Sequence, residues 1–390
     1  MNLDFSSDER RFREEVRSWL RANVPRERSP RDGPGARAFD CAWQRLQHDA
    51  GWAGIAWPVE YGGRGLSLVQ QMIWYEEYAL ARGPLSGVCF VGLNHAGPTL
   101  IHCGSEAQKR DHLQPILRGD AVWCQGFSEP SAGSDLAGLQ TRAQVDGDSL
   151  VVSGQKIWTS YADTADYQEL LVRTDPDASR HGGITWVIGD MRAPGIEIRP
   201  IQTMAGMAHF SQVYYDQVRI PLSNVVGQID DGWSVAISTL AFERGTAFMA
   251  EQVDLAQTVE ELIDYARRHP GPGGRRAAVR DESIALRLAG LRAEVAALRA
   301  MTYASVSRAL REDTPGPEGS IVKLYFSEVK QRAYRLAMEV LGAEGLELTP
   351  YEVKWTQPYL RSYSASIAGG TSEIQRNIIA ERMLALPKHR

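Results

Sequence analysis

The sequence predicts a mainly α protein with a central antiparallel β domain, either a barrel or a sandwich. Hydrophobic residues recur every three or four positions in residues 1–120, short β-rich runs with turn residues between them fill 121–230, and helical spacing returns in 231–390. This order differs from the strand–helix alternation of a doubly wound sheet. We therefore expect an N-terminal helical domain (1–120), a middle β domain (121–230) and a C-terminal helical bundle domain (231–390).

Three helices are predicted in the N-terminal region. The first begins near Ser6, which can cap it, and ends before Pro25. The second covers 67–80, and the third follows Ser105. Residues 57–65, rich in glycine and proline, form a loop between the first two. The apolar face of the first helix consists of Phe12, Val16 and Leu20.

The β domain is predicted from short runs rich in β-branched and aromatic residues. An Asp-Gly-Asp turn at 146–148 separates the first two runs and is typical of a hairpin. The predicted strands are 141–145, 150–153, 169–174, 183–188, 195–201 and 212–220.

The C-terminal region is predicted to be a bundle of helices separated by loops at 269–274 and 314–319. One helix begins at Asp281, another covers 321–341, and a last one covers 372–384 with Thr371 as its cap. The helix that begins at Asp281 carries an apolar stripe at Ile284, Leu288, Leu291, Val295 and Leu298.

Composition limits the class of protein. The chain has 390 residues, 43% of them hydrophobic and 23% charged, with a net charge of −5. Because the net charge is negative, the protein has no overall positive potential that would attract the phosphates of a nucleic acid, and we expect no nucleic acid partner. The charged first 20 residues resemble no leader peptide and no long uncharged apolar stretch occurs, so we expect a cytoplasmic protein without a membrane span. The eight histidines and four cysteines show no metal-ligand spacing, and we expect no metal site and free thiols.

Three separated segments carry a resemblance to a known family. Residues 127–135 (FSEPSAGSD) resemble the flavin-binding signature of the acyl-CoA dehydrogenase family, although taken alone they could be a capped turn. Residues 155–160 (QKIWTS) and 370–377 (GTSEIQRN) resemble the second and third signatures, and the 57–65 loop resembles a fourth segment. The resemblance implies a middle β-barrel, a C-terminal four-helix bundle, and FAD held in the cleft between the domains of a tetramer.

The resemblance also implies roles for individual residues. Phe127 and Ser128 contact the flavin ring, Trp158 covers it, and Ser160 hydrogen-bonds to it. Gly133 and Ser134 lie near the pyrophosphate or the acyl-CoA entrance. The part of the FAD site that a neighbouring subunit completes is expected at Glu339, Gly342, Thr371 and Glu373.

The expected catalytic base departs from the common family pattern. In much of the family a carboxylate precedes the Gly-Thr of the third signature, but here that position is Gly369. Some members, isovaleryl-CoA and steroid side-chain dehydrogenases among them, carry the base before an arginine on a helix, and Glu243 with Arg244 matches that pattern. We expect Glu243 to be the base, Arg244 to orient it, and the Gly369 N–H to bind the thioester carbonyl. Alternatively, Glu243 is a helix carboxylate paired with Arg244 or another basic side chain.

The expected reaction is α,β-desaturation of an acyl-CoA, with electrons passing to an electron-transfer flavoprotein. The same scaffold supports flavin oxidases and monooxygenases, so these remain alternatives. A third alternative is a catalytically silent partner subunit of a hetero-oligomeric dehydrogenase. The sequence leaves open the acyl chain, a CoA or carrier-protein thioester, and a homo- or hetero-oligomer, either dimer or tetramer.

Overall fold

The computed structural model describes residues 5–30, 32–243, 248–271, 274, 276–312, 317–346 and 355–387, with only the backbone at 241–243, 248, 311 and 312. The helices are α1 Ser7–Asn23, α2 Gly33–Asp49, α3 Leu68–Leu80, α4 Gly97–Cys103, α5 Glu106–Arg118, α6 Gly232–Glu243, α7 Phe248–Arg268, α8 Glu282–Glu312, α9 Glu318–Leu341, α10 Thr356–Ser362 and α11 Ser372–Ile378. The strands are β1 Trp123–Gly126, β2 Arg142–Asp146, β3 Ser149–Ser160, β4 Tyr167–Arg173, β5 Ile184–Asp190, β6 Ile196–Ile201, β7 Phe210–Pro221 and β8 Val225–Val226.

The order of helices, strands and helices agrees with the predicted fold class. The chain forms two compact units, and they do not follow the chain order. One unit combines α1 and α3 with helices α7–α11, and the other contains α2, α4–α6 and all eight strands. The boundaries at 120 and 230 stay a prediction.

The eight strands form one open sheet, so the β-barrel predicted for the middle domain was wrong. The order is β6-β7-β3-β2-β4-β5-β8, and β1 pairs with β4. Within the described residues, the end strands β6 and β8 pair only with β7 and β5, respectively, and no ladder joins the two ends of the sheet. Strand β1 runs parallel to β4. The hydrophobic pattern of a single strand carries no information about closure, which depends on which strands pair.

The predicted starting points of three helices are confirmed. Ser6 caps α1 through a capping box with Glu9, and Ser105 caps α5 in the same way with Gln108. Asp281 Oδ1 accepts the N–H groups of Ser283 and Ile284 at the start of α8. The apolar residues predicted to face the core are buried in α1 (Phe12, Val16, Leu20) and in α8 (Ile284, Leu288, Leu291, Val295, Leu298).

Helices α2 and α4 were not predicted, and in the C-terminal region no individual helix was predicted at α7 or α10. The buried face of α2 includes Asp40, Gln44 and Gln47, so polar residues interrupt the apolar spacing that identifies an amphipathic helix. Helix α4 has only seven residues and directly follows a π-helical turn at Gly92–Ala96. The π-helical turn interrupts the three-to-four-residue spacing of apolar side chains that identifies an α-helix. Strand β1, with four residues, was also missed.

Buried charge pairs join α1 and α3 to the C-terminal helices of their unit. Glu76 on α3 accepts hydrogen bonds from Arg13 on α1 and from Arg299 and Tyr303 on α8. The Glu77 carboxylate accepts from Arg13 and Arg17 of α1. Both glutamates are almost completely buried. A buried carboxylate is stable only when cationic or hydrogen-bonding side chains compensate its charge.

Among the described helices, none combines the length and hydropathy required to cross a bilayer.

Candidate active site

A fully buried lysine joins the first two signature segments in the strand-containing unit. Lys156 Nζ donates to the Phe127 carbonyl at 3.1 Å and lies 2.8 Å from Glu129 Oε1. One residue further along each segment, the Ile157 N–H donates to the Ser128 carbonyl at 2.9 Å. The structure therefore holds the 127–135 segment against β3 through both side-chain and backbone contacts.

The Lys156–Glu129 pair is charged at neutral pH. Burial lowers the pKa of Lys156 to about 8, and the negative charge and hydrogen bond of Glu129 offset part of that effect. Burial alone would raise the pKa of Glu129, but Lys156, the Thr141 side chain and the Gln140 N–H outweigh it, so the pKa is lowered. The N–H groups of Thr141 and Gln140 donate to the carboxylate at 2.8 and 2.7 Å. The ion pair is therefore supported by backbone donors on its acidic side.

A bulge in β3 presents Trp158 to the outside of the sheet. Lys156 pairs with Val213 on β7, but Thr159 pairs with Ser211, so β3 holds one extra residue there. Trp158 has φ +61° and its side chain is 56% exposed, with its ring edge-on to Phe210. A left-handed backbone at an exposed tryptophan is costly and is characteristic of functional sites.

The remaining predicted residues of this unit lie beside these features. Ser128 and Ser160 are half-exposed, and Gly133 and Ser134 are exposed in a turn. Reciprocal backbone hydrogen bonds between Glu129 and Ala132, at 3.0 and 3.1 Å, form that turn. A side chain at Gly133 would meet no atom within 4 Å, so the space above the turn is open.

These residues fit the ring and pyrophosphate of FAD. An exposed indole offers a flat apolar face to an isoalloxazine ring, and the serine hydroxyls can donate hydrogen bonds to its polar edge. The carbonyls of Phe127 and Ser128 are already engaged by Lys156 and Ile157, which fixes the orientation of both peptide groups. The open glycine turn leaves room for a phosphate group to approach the backbone.

In the helical unit, the third signature forms a glycine turn followed by a capped helix. Gly369 and Gly370 have φ +62° and +86°, which few other residues adopt without strain. Their carbonyls accept hydrogen bonds from Gln375 Nε2 at 2.9 Å and Lys323 Nζ at 2.6 Å, respectively. As predicted, Thr371 caps α11, and its hydroxyl accepts the Ile374 N–H.

The other residues predicted in this unit have partners of their own. Glu339 on α9 is exposed and forms a two-pronged ion pair with Arg287, which lowers the pKa of the Glu339 carboxyl. Gly342 follows α9 with φ +57°. Glu373 is exposed on α11, where its own N–H and Thr371 lower the pKa of its carboxyl. Their roles toward a cofactor stay a prediction.

The predicted base stands at the end of a described segment. Glu243 is the last residue of α6, where the structure describes only the backbone, and Arg244 lies outside the described residues.

Sequence reasoning missed the residues that hold these segments in place: Lys156, Glu129, Gln375 and Lys323. A signal for one of them was present. Leu150 and Val152 face the core, so strict alternation along β3 also points Lys156 inward. A buried lysine requires an acidic partner. The positions of Gln375 and Lys323 relative to the glycine turn depend on packing between α9 and α11 and gave no comparable signal.

Comparison with known domain families gives three consecutive matches. Models of the domains described as "Acyl-CoA dehydrogenase, N-terminal domain", "middle domain" and "C-terminal domain" match residues 6–120, 124–218 and 230–384. Together the matches extend over most of the chain.

Curated proteins and solved structures give full-length matches. The chain is 38% identical to Acyl-CoA dehydrogenase IpdE1 of Mycobacterium tuberculosis strain H37Rv over 98% of both sequences. It is 37% identical to Acyl-CoA dehydrogenase FadE26 of the same organism over 87% of this chain and 86% of the relative. The structure described as Tcur3481-Tcur3483 steroid ACAD superposes with a TM-score of 0.86, at 32% identity and over the whole of both chains. The ChsE4-ChsE5 complex from Mycobacterium tuberculosis gives 0.83, also at 32% identity over both whole chains.

Proposed function

Because the chain belongs to the acyl-CoA dehydrogenase family of FAD-dependent oxidoreductases, we propose that it desaturates an acyl-CoA between Cα and Cβ. The observation that carries the proposal is a cradle that consists of the Phe127–Ser128 backbone and the exposed Trp158, which the buried Lys156–Glu129 pair holds together. FAD, when bound, supplies the acceptor for the hydride that leaves Cβ.

In this proposal Glu243 removes the proton from Cα. Position 369 has no carboxylate, and Glu243 stands directly before an arginine, as in family members that carry the base on a helix. The base needs a pKa raised toward the working pH, which an apolar substrate that excludes water would provide. Arg244 orients the carboxylate.

Gly369 makes the α-proton acidic enough to remove. Its N–H donates to the thioester carbonyl oxygen and stabilises the negative charge that develops there. The glycine turn suits this role, because Gln375 and Lys323 hold the carbonyls of Gly369 and Gly370 and so restrain the turn on the C-terminal side of that N–H. A glycine supplies that N–H as well as a glutamate does.

We propose a bulky, polycyclic acyl group as the substrate class. A glycine at 369 leaves out the side chain that much of the family places over the flavin. The structural neighbour with a TM-score of 0.86 is described as a steroid ACAD, and its 32% identity supports transfer of the substrate class as a hypothesis. On this proposal the chain works in the cytoplasm and passes electrons to an electron-transfer flavoprotein.

A second candidate concerns assembly. The ChsE4-ChsE5 neighbour is described as a complex, and the steroid ACAD neighbour carries a double name, Tcur3481-Tcur3483. This favours a hetero-oligomer in which a second chain completes the FAD site, and it keeps open the alternative that this chain is a silent subunit.

The test is an anaerobic titration of the purified, FAD-containing protein, followed through the visible flavin absorbance. Butyryl-CoA, isovaleryl-CoA and a steroid side-chain acyl-CoA represent short, branched and bulky substrates. Bleaching by the bulky substrate, with slow reoxidation when air is admitted, supports a dehydrogenase. Fast reoxidation would indicate an oxidase, and no bleaching by any thioester would overturn the proposal in favour of the silent subunit.

A further inference from the structure

Two cysteines that the catalytic proposal does not use lie on adjoining segments of the strand-containing unit. Cys41 is on α2, and Cys89 ends the 3-10 turn Gly87–Cys89. A hydrogen bond between their chain neighbours Asp40 and Val88 joins the two segments. Cys89 is buried within a hydrophobic cluster, and the half-buried Cys41 packs against the same cluster.

Contacts next to the cysteines hold the two backbone segments in register. Asp40, adjacent to Cys41, accepts the Val88 N–H at 3.1 Å through Oδ2 and the Ser29 hydroxyl at 3.1 Å through Oδ1. Gly87 packs so closely on this carboxylate that a side chain there would overlap it. These contacts hold the two segments that carry Cys41 and Cys89 side by side.

The two thiols differ in a way that separates an attacking from a resolving cysteine. The hydrogen bond from Cys89 lowers the pKa of Cys41, and the Arg37 guanidinium acts in the same direction against burial, Asp40 and Asp166. The pKa of Cys89 is raised by that same hydrogen bond and by burial. Thiolate character and access to solvent determine which cysteine reacts with an oxidant.

We propose that Cys41 and Cys89 form a redox-active dithiol that hydrogen peroxide converts to a disulfide. The Cys41 thiolate attacks one peroxide oxygen, the O–O bond breaks, and hydroxide leaves, so that Cys41 becomes a sulfenic acid. The Cys89 sulfur then attacks the Cys41 sulfur, the S–O bond breaks, and the hydroxyl leaves as water with the Cys89 proton. Two thiols and one peroxide thus give one disulfide and two waters.

The other two cysteines provide internal controls. Cys103 is half-buried like Cys41, but its pKa is raised, mainly by burial. Cys124 is fully buried on β1, and burial raises the pKa of its thiol strongly. Access alone would make Cys103 react as readily as Cys41, whereas the proposal makes the pair react first.

The experiment treats the FAD-containing protein with one equivalent of hydrogen peroxide, blocks remaining thiols with iodoacetamide under denaturing conditions, and analyses peptides by mass spectrometry. We expect two of the four cysteines to escape alkylation, a cross-linked Cys41–Cys89 peptide, and recovery of both thiols with dithiothreitol. In Cys89→Ser, Cys41 should stop at a sulfenic acid that dimedone traps. In Cys41→Ser, Cys89 should stay reduced.

Three results would overturn the proposal. One is oxidation of Cys103 at a rate equal to or above that of Cys41. Another is a Cys41 sulfinic acid without cross-linked peptide in the wild type. The third is the survival of all four thiols in the folded protein under excess peroxide. None of these readouts depends on catalytic activity, so the proposed acyl-CoA reaction and the dithiol can fail separately.

Discussion

The Lys156 ammonium lies 2.8 Å from Glu129 Oε1, with the lysine side chain completely buried and the glutamate nearly so. The pair connects the segment expected to contact the flavin ring with the strand that presents Trp158. Since the lysine also donates to the Phe127 carbonyl, one side chain fixes both halves of the cradle.

Lys156→Met should destabilise the protein and weaken FAD binding together. The substitution keeps the volume of the side chain but leaves the Phe127 carbonyl and the buried Glu129 carboxylate without the lysine donor, which costs about 1–3 kcal/mol for each group. Urea unfolding of the FAD-free protein and the flavin content after gel filtration measure the two effects. Lys156→Met combined with Glu129→Gln removes the unpaired charge and should recover part of the loss. A single variant within 1 kcal/mol of the wild type would contradict this account.

Lys156 should also make stability depend on pH on the alkaline side. Its pKa is lowered to about 8 by burial, whereas an unfolded chain holds the same proton up to about pH 10.4. Between these values the unfolded state binds more protons, so the contribution of Lys156 to the free energy of unfolding increases with pH, by up to about 3 kcal/mol. The stability difference between wild type and Lys156→Met should therefore grow from pH 7.5 to 10. A difference that stays constant or shrinks would be inconsistent with the lowered pKa.

Trp158→Gly should reduce FAD affinity without destabilising the FAD-free protein. The indole is 56% exposed, so its removal loses little buried area, and glycine adopts φ +61° without the cost that a tryptophan bears. Equilibrium dialysis gives the affinity, and thermal unfolding gives the stability. Trp158→Phe keeps an aromatic face and should retain more affinity than the glycine variant. Unchanged FAD affinity in Trp158→Gly would show that the indole does not contribute to FAD binding.

Gly369→Glu should reduce activity on bulky acyl-CoAs more than on short linear ones. The new side chain would occupy space that we assign to the acyl group. Because residue 369 has φ +62°, any side chain there also costs about 1 kcal/mol of backbone strain. Gly369→Ala carries that strain with little added bulk, and it should leave the substrate preference nearly unchanged. Equal losses of kcat/KM on both substrate classes in Gly369→Glu would contradict the space argument.

Much of the fold could be predicted because residues close together in sequence mark where its helices begin and which face of a helix is apolar. The capping boxes at Ser6 and Ser105 and the apolar stripe of α8 required no knowledge of tertiary structure. Helix α2 was missed because Asp40 and its neighbours make the buried face polar, and these residues are stable there only through partners distant in sequence. The open sheet and the association of α3 with α8 depend on such long-range contacts.

The candidate site could be predicted as a set of segments but not as an arrangement. Resemblance to the family located Phe127, Trp158 and Gly369. The bulge that exposes Trp158 is visible only once β3 is paired with β7, because it arises from a difference in residue count between the two strands.

The most direct test of the catalytic proposal compares Glu243→Gln with the wild type in anaerobic stopped-flow reduction of the flavin by the preferred acyl-CoA. Glutamine keeps the size of the side chain but cannot accept the α-proton, so we expect the rate of flavin bleaching to fall by about 10²- to 10⁴-fold with FAD content unchanged. Glu106→Gln, whose side chain is 86% exposed on α5, is the control and should bleach at the wild-type rate. A Glu243→Gln protein that is reduced within a few-fold of the wild-type rate would contradict the assignment of Glu243 as the base.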